Sequence, residues 1–355
     1  MPADPRTTVA VATIVLALLP SGSGCSSSAE PERQATMAVL GLDARPVNET
    51  CVGSVEPPEV LSRHPCIDPA TLRPTSSLVP YGVRAPLWSD GADKNRYIAL
   101  PEGASFAVSE RGGWELPPGG VLVKEFELGG RRLETRFVTR DASGTYRFYT
   151  YAFLDGQHDA RLLTDGAEIP LESSTWTVPS EAQCDQCHNR AAGRVLGLQT
   201  GQLDRPWTYS STGREADQLE TLKAIGFVKG LEPAPLVFPD LEDETVPVEA
   251  RARAYLHVNC STCHRPRGVA TSIMDLRSHV DVRGMGVCMT YPMFSDPTGA
   301  DGRLLVPGEP DRSILFHRAT TVDPLLRMPP VGRATIDPLG AQLLRRWIEE
   351  MPACN

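Results

Sequence analysis

Two five-residue runs carry the chemistry of this chain: Cys184-Asp185-Gln186-Cys187-His188 and Cys260-Ser261-Thr262-Cys263-His264. In each, two thiols lie about one helical turn apart and an imidazole follows directly. Thiols at that spacing add across the two vinyl groups of one porphyrin while the adjoining imidazole reaches the iron. The pattern therefore points to two covalent haems of c type, one on Cys184, Cys187 and His188 and one on Cys260, Cys263 and His264. A four-cysteine zinc site also uses paired Cys-x-x-Cys. It gives no reason for a histidine after each pair, and its pairs usually lie closer together than Cys187 and Cys260. A thioredoxin-like dithiol calls for one pair in a βαβ setting.

A sixth ligand for the second haem is suggested by Arg327-Met328-Pro329-Pro330, about sixty residues past His264. A thioether is a soft ligand that favours ferrous iron and raises the potential, and neighbouring prolines can hold the loop that presents it. His317 is the rival, read as a helix-surface residue because Ile314 and Leu315 supply the buried side. For the first haem the alternatives stay open: His158, one of His257, Met274, His279, Met285, Met289 and Met293, or a five-coordinate iron. An open iron would permit ligand binding or peroxide chemistry.

The N-terminus fits export. Val9 to Leu19 is a short apolar stretch, followed by Gly22-Ser23-Gly24 and Cys25 before a serine run. This predicts a signal peptide over 1–24, too short for a stable span, with a lipid on Cys25. Of nine cysteines, Cys25 and the four of the haem signatures leave Cys51, Cys66, Cys288 and Cys354. In an oxidising compartment they could form two disulfides, most economically Cys51 with Cys66 and Cys288 with Cys354, although three pairings exist. A net charge of −9 argues against a nucleic-acid partner and favours a basic docking partner.

The elements that must position these residues follow from pattern. Residues 25–80, rich in Ser, Pro and Glu, read as a tether with a small disulfide loop. Residues 81–182 read as an antiparallel β-rich domain: Val121 to Val123, a Gly129-Gly130 turn, Leu133 to Val138, a turn at Asp141 to Gly144, then Tyr146 to Phe153. Trp88, Trp114 and Trp176 read as packing residues, and the oxygen-rich run Trp88 to Asn95 as an Asx-stabilised turn rather than a calcium site. Residues 183–245 form the first haem-binding segment and a linker that includes the solvated acidic run Asp240 to Glu244.

Residues 246–355 read as a cytochrome c domain. One helix carries Val248, Ala252, Tyr255 and Leu256 into Asn259-Cys260. A second starts at Asp337-Pro338, with Leu339, Leu343, Leu344, Trp347, Ile348 and Met351 as its stripe. The fold expected is thus α+β, an antiparallel β-rich domain followed by an α-helical, class I-like cytochrome c domain.

Several longer runs carry a resemblance. They are Pro86-Leu87-Trp88-Ser89-Asp90, Pro118-Gly119-Gly120-Val121-Leu122-Val123-Lys124, Leu133-Glu134-Thr135-Arg136, Ala252 through Cys260, and Pro307-Gly308-Glu309-Pro310-Asp311-Arg312-Ser313-Ile314-Leu315. From about residue 80 the chain resembles a family of bacterial exported dihaem c-type cytochromes, often encoded beside or fused to a parallel β-helix repeat protein. The resemblance implies two covalent haems, a signal or lipoprotein peptide, Met328 as ligand of the second haem, and a β-helix partner at the cell envelope. The family's Gln-Thr-Asp-Ala-like stretch stands here as Gln157-His158-Asp159-Ala160, which weakens His158 as a ligand. The expected role is electron transfer with redox partner proteins, in the periplasm or outer envelope. The alternative is a dihaem peroxidase-like oxidoreductase with an open first haem, weakened by the close spacing of the signatures and the absence of a matched peroxidase motif.

Overall fold

Alternation of β-branched and aromatic residues with a period of two produces the central element, a six-stranded antiparallel sheet. In a computed structural model describing residues 39–53, 56–154, 158–172, 174–234, 236–290 and 302–354, the strands are β1 (Val79–Pro80), β2 (Asp93–Ala99), β3 (Val121–Leu128), β4 (Arg131–Arg140), β5 (Tyr146–Ala152) and β6 (Arg161–Leu163). They neighbour one another in chain order. Gly129 and Gly130, with φ of 57° and 80°, supply the left-handed turn that joins β3 to β4. At the next turn the Asp141 carboxylate accepts from the Ser143 hydroxyl at 2.6 Å and the Thr145 N–H at 2.9 Å.

The two faces of the sheet have different neighbours. One face, with Val121, Val123, Phe137, Tyr149 and Tyr151, is buried with Leu61, Cys66, Ile67, Leu72 and Leu78. Residues 39–78, from the segment expected to be a tether, thus cover that face, and a Cys51–Cys66 disulfide closes their loop. The opposite face, with Leu122, Lys124, Phe126, Arg136, Val138, Phe148 and Thr150, looks onto a large cavity.

The helices are α1 (Glu181–Cys187), α2 (Thr200–Leu203), α3 (Gln218–Ala224), α4 (Val248–Asn259), α5 (Ile314–Thr320) and α6 (Pro338–Glu350). Asp337 caps α6 by accepting from the Gly340 N–H, and Pro338 sits at its first position. The stripes of α4 and α6 meet, and Gly340 makes the approach feasible, since a Cβ there would lie 2.2 Å from Cζ of Tyr255.

The fold class expected from sequence is corrected here. The described chain is dominated by β-structure, and only α4 and α6 exceed eight residues. Among the described residues no helical cytochrome c domain is evident. Among the described residues there is no helix between Cys260 and Glu309. The stripes of α4 and α6 close on a mixed cluster that takes in Ala85, Phe238, Leu241, Leu276 and Val287 from irregular chain. Two amphipathic helices predict that something apolar covers them; they do not specify that the cover is helical. Residues 38–355 form one compact unit, and a Cys288–Cys354 disulfide ties the C-terminus to it.

Candidate haem-binding site

The first Cys-x-x-Cys-His run is placed by a helix start. Ser180 and Gln183 form a reciprocal capping box, the Ser180 hydroxyl accepting from the Gln183 N–H and the Gln183 side chain from the Ser180 N–H. The resulting α1 spaces Cys184 and Cys187 by one turn and leaves His188 as its C-cap. His188 packs on Phe148 of β5, ring centroids 4.8 Å apart. In the second run, Cys260 is the C-cap of α4, and the His264 N–H donates to the Cys260 carbonyl at 2.9 Å.

Both histidines are oriented in the same chemical sense. Nδ1 of His188 lies 2.6 Å from the Arg194 carbonyl, and Nδ1 of His264 lies 2.6 Å from the Ser272 hydroxyl. With Nδ1 held, Nε2 is the nitrogen left to bind a metal, the arrangement by which an outer partner fixes a ligating imidazole. Burial keeps both rings neutral by lowering their pKa values to about 4. Arg194 supplies its carbonyl from a left-handed backbone, φ 64°, a conformation uncommon outside glycine.

The two runs abut, although they lie more than seventy residues apart in sequence. The Asn189 amide donates to the carbonyls of Gln186 and Thr262, each at 2.9 Å. Arg265 reaches the Ala191 carbonyl at 3.0 Å, and the Cys263 thiol lies 3.7 Å from the Gln186 carbonyl. The proximity of the Cys187 and Cys263 thiols makes Cys263 the easier of them to deprotonate and pushes the Cys187 thiol up.

The four cysteines and two histidines of the signatures line one cavity of about 1010 Å3, at the top of the usual range for ligand sites. Tyr255, Leu256, Leu304, Leu315 and the Met328–Arg333 loop also line it. Its walls fit a large apolar ring that is tethered by thioethers and ligated by imidazole.

Met328 lines this cavity, and its N–H donates to the Arg318 carbonyl of α5 at 2.7 Å. The loop beyond it is held by Asp90, whose carboxylate accepts from the Ala334 and Thr335 N–H groups and the Thr335 hydroxyl at 2.8 to 2.9 Å. The Trp88 to Asn95 turn thus spends a carboxylate on a tertiary contact rather than on local Asx bonding.

Of the candidates for the first haem, His257 and Met274 line the cavity. Both His257 nitrogens are engaged, Nδ1 by the Ser278 N–H at 3.1 Å and Nε2 by the Gln199 amide at 3.2 Å. His158 and His279 are exposed, as is Met289, while Met285 is buried in the cluster of α4 and α6. His317 does not line the cavity. Met293 and Cys25 lie outside the described residues. Sequence reading missed Asn189, Arg194, Arg265 and Ser272, polar residues with no motif of their own. Arg194 and Ser272 act through spatial relationships to an imidazole.

Residues 291–332 match the family described as Planctomycete cytochrome C, a stretch that contains Met328 and neither Cys-x-x-Cys-His run. This similarity supports a cytochrome c relationship, and with it covalently bound haem and an electron-transfer role. Neither a characterised protein nor a solved structure matches the chain.

Proposed function

We propose that the protein is a dihaem c-type cytochrome that carries electrons in the periplasm or at the cell envelope. The observation that carries this reading is the convergence of both Cys-x-x-Cys-His runs on one cavity, their ends joined through Asn189 and Arg265. Cys184 and Cys187 would hold one haem by thioethers with His188 on its iron. Cys260 and Cys263 would hold the other, between His264 and Met328. The haem supplies the one-electron redox change. The chain binds and orients: Arg194 and Ser272 fix the imidazoles, Asp90 and Arg318 fix the Met328 loop, and the apolar walls keep water from the rings, which raises the potential. Contact between the two runs is what short-range electron exchange between the haems requires.

The export segment and the lipid on Cys25 belong to the same proposal, as does a β-helix repeat protein as an envelope partner. A dihaem peroxidase-like oxidoreductase is the second reading. It is favoured by one observation, that of the two candidates lining the cavity His257 has both nitrogens occupied and Met274 packs against the cluster of α4 and α6.

The test is the haem content and visible spectrum of the mature protein, reduced with dithionite, before and after carbon monoxide. Two haems and no shift support the electron carrier. A shift of about half the absorbance moves the peroxidase-like reading ahead, and a chain without covalent haem overturns both.

A further inference from the structure

On the cavity face of the sheet, Arg96 of β2 lies opposite Lys124 of β3, Lys124 opposite Arg136 of β4, and Arg136 opposite Thr150 of β5. All four line the cavity. Three cations thus stand side by side on adjacent strands, an arrangement that costs stability unless an anion answers it.

The anions present answer only part of it. Arg136 pairs with Glu134 at 2.5 Å and lies over the Phe126 ring at 4.4 Å. Arg96 donates to a neutral acceptor, the Lys94 carbonyl, at 3.0 Å. Among the described residues the Lys124 ammonium has no hydrogen-bond or salt-bridge partner, and it lies over the Phe126 ring at 5.9 Å from the centroid. The groups facing it are Lys94, Arg96, Arg136 and Glu134, four cations in all against one carboxylate. Lys124 is half-buried in this row of like charges, and a counter-charge from an occupant of the cavity would stabilise its ammonium.

The row is also placed beside one particular haem signature. Arg136 is near enough to Cys184 and Cys187 to interact with both electrostatically, and Lys124 and Arg136 both act on His188. One step along the strands the row gives way to Leu122, Val138 and Phe148. An apolar band bordered by cations matches a ring that is apolar over its face and carries carboxylates along one edge. With strands about 4.8 Å apart, the three cations span about 10 Å, room for two carboxylates.

We propose that Arg96, Lys124 and Arg136 form a receptor for the propionate carboxylates of the haem carried by Cys184 and Cys187. This rests on the dihaem reading. The row then sets the potential of that haem, because positive charge beside the ring favours the reduced, less positive state.

The experiment is a redox titration at several pH values of the mature protein, its two thioether-linked haems first counted by mass. In Lys124→Met one potential should fall and become pH-dependent near neutrality, as a propionate freed of its partner titrates; the other potential should not move. Lys124→Arg should restore the wild-type value and its flat profile, and Arg96→Gln should shift the same potential in the same direction. Two haems with unmoved potentials in Lys124→Met and Arg96→Gln would overturn the receptor and leave the dihaem reading standing. So would loss of a low-spin signal in Lys124→Met that Lys124→Arg does not repair, since that would make Lys124 an iron ligand. A wild-type chain without haem on Cys184 and Cys187 would overturn the dihaem reading, and the receptor with it.

Discussion

Asp90 and Thr335, 245 residues apart in sequence, are bonded through both the backbone N–H and the hydroxyl of Thr335, each 2.8 Å from the same carboxylate oxygen. The turn before β2 in this way clamps the loop that follows Met328. Removing the carboxylate leaves three donors of that loop without an acceptor.

Asp90→Ala should therefore lower stability by about 2–4 kcal/mol. It should also weaken the far-red band expected of methionine-ligated ferric haem. Denaturant unfolding and the optical spectrum of the oxidised protein check the two effects; a destabilised variant with an intact band would show that the clamp does not position Met328.

Met328→Ala should lower the potential of one haem substantially and leave the other in place, because a thioether favours ferrous iron. An unchanged redox titration would rule out Met328 as a ligand.

Acid should destabilise the sheet through His64. Burial lowers its pKa from 6.5 to about 4, its Nδ1 accepts from the Cys66 N–H, and its Nε2 lies 3.0 Å from the Tyr149 hydroxyl. Because the folded pKa lies below the unfolded one, the contribution is whole above pH 6.5 and drains away as pH falls toward about 4. The loss should be on the order of 3 kcal/mol. Urea unfolding across that window should fall less steeply for His64→Gln than for the wild type; parallel curves would refute the assignment.

The two disulfides should contribute unequally. Cys51–Cys66 closes a separation of 15 residues and Cys288–Cys354 one of 66. On loop entropy their removal should cost about 3 and about 4 kcal/mol respectively. Unfolding of the paired serine variants compares them, and an equal or reversed order would show that the loop-length account fails here.

The local chemistry was legible in the chain. A fixed spacing of two thiols and an imidazole is a covalent requirement of haem attachment, so both Cys-x-x-Cys-His runs stand out without any fold. The strands from Arg96 onward and helices α4 and α6 could be read as well, since burial on one face imposes a period of two or of 3.6. Lys124 was legible in part: it follows Leu122 and precedes Phe126 at alternate positions, a lysine where the pattern calls for a core residue. Its two cationic neighbours were not, because strand register is a tertiary property.

What covers an apolar stripe is likewise outside the reach of periodicity, and for that reason the helical domain expected around α4 and α6 did not materialise. The same holds for Asp90, whose run of oxygens looked local and whose partners lie near the far end of the chain. The sequence by itself determined that two thiols and an imidazole stand within one helical turn of each other in each Cys-x-x-Cys-His run, because that spacing depends on neighbours along the chain. Only the tertiary structure decided that the two signatures touch, that Asp90 holds the Met328 loop and that three cations share one wall, because each of these is a meeting of residues brought together by packing.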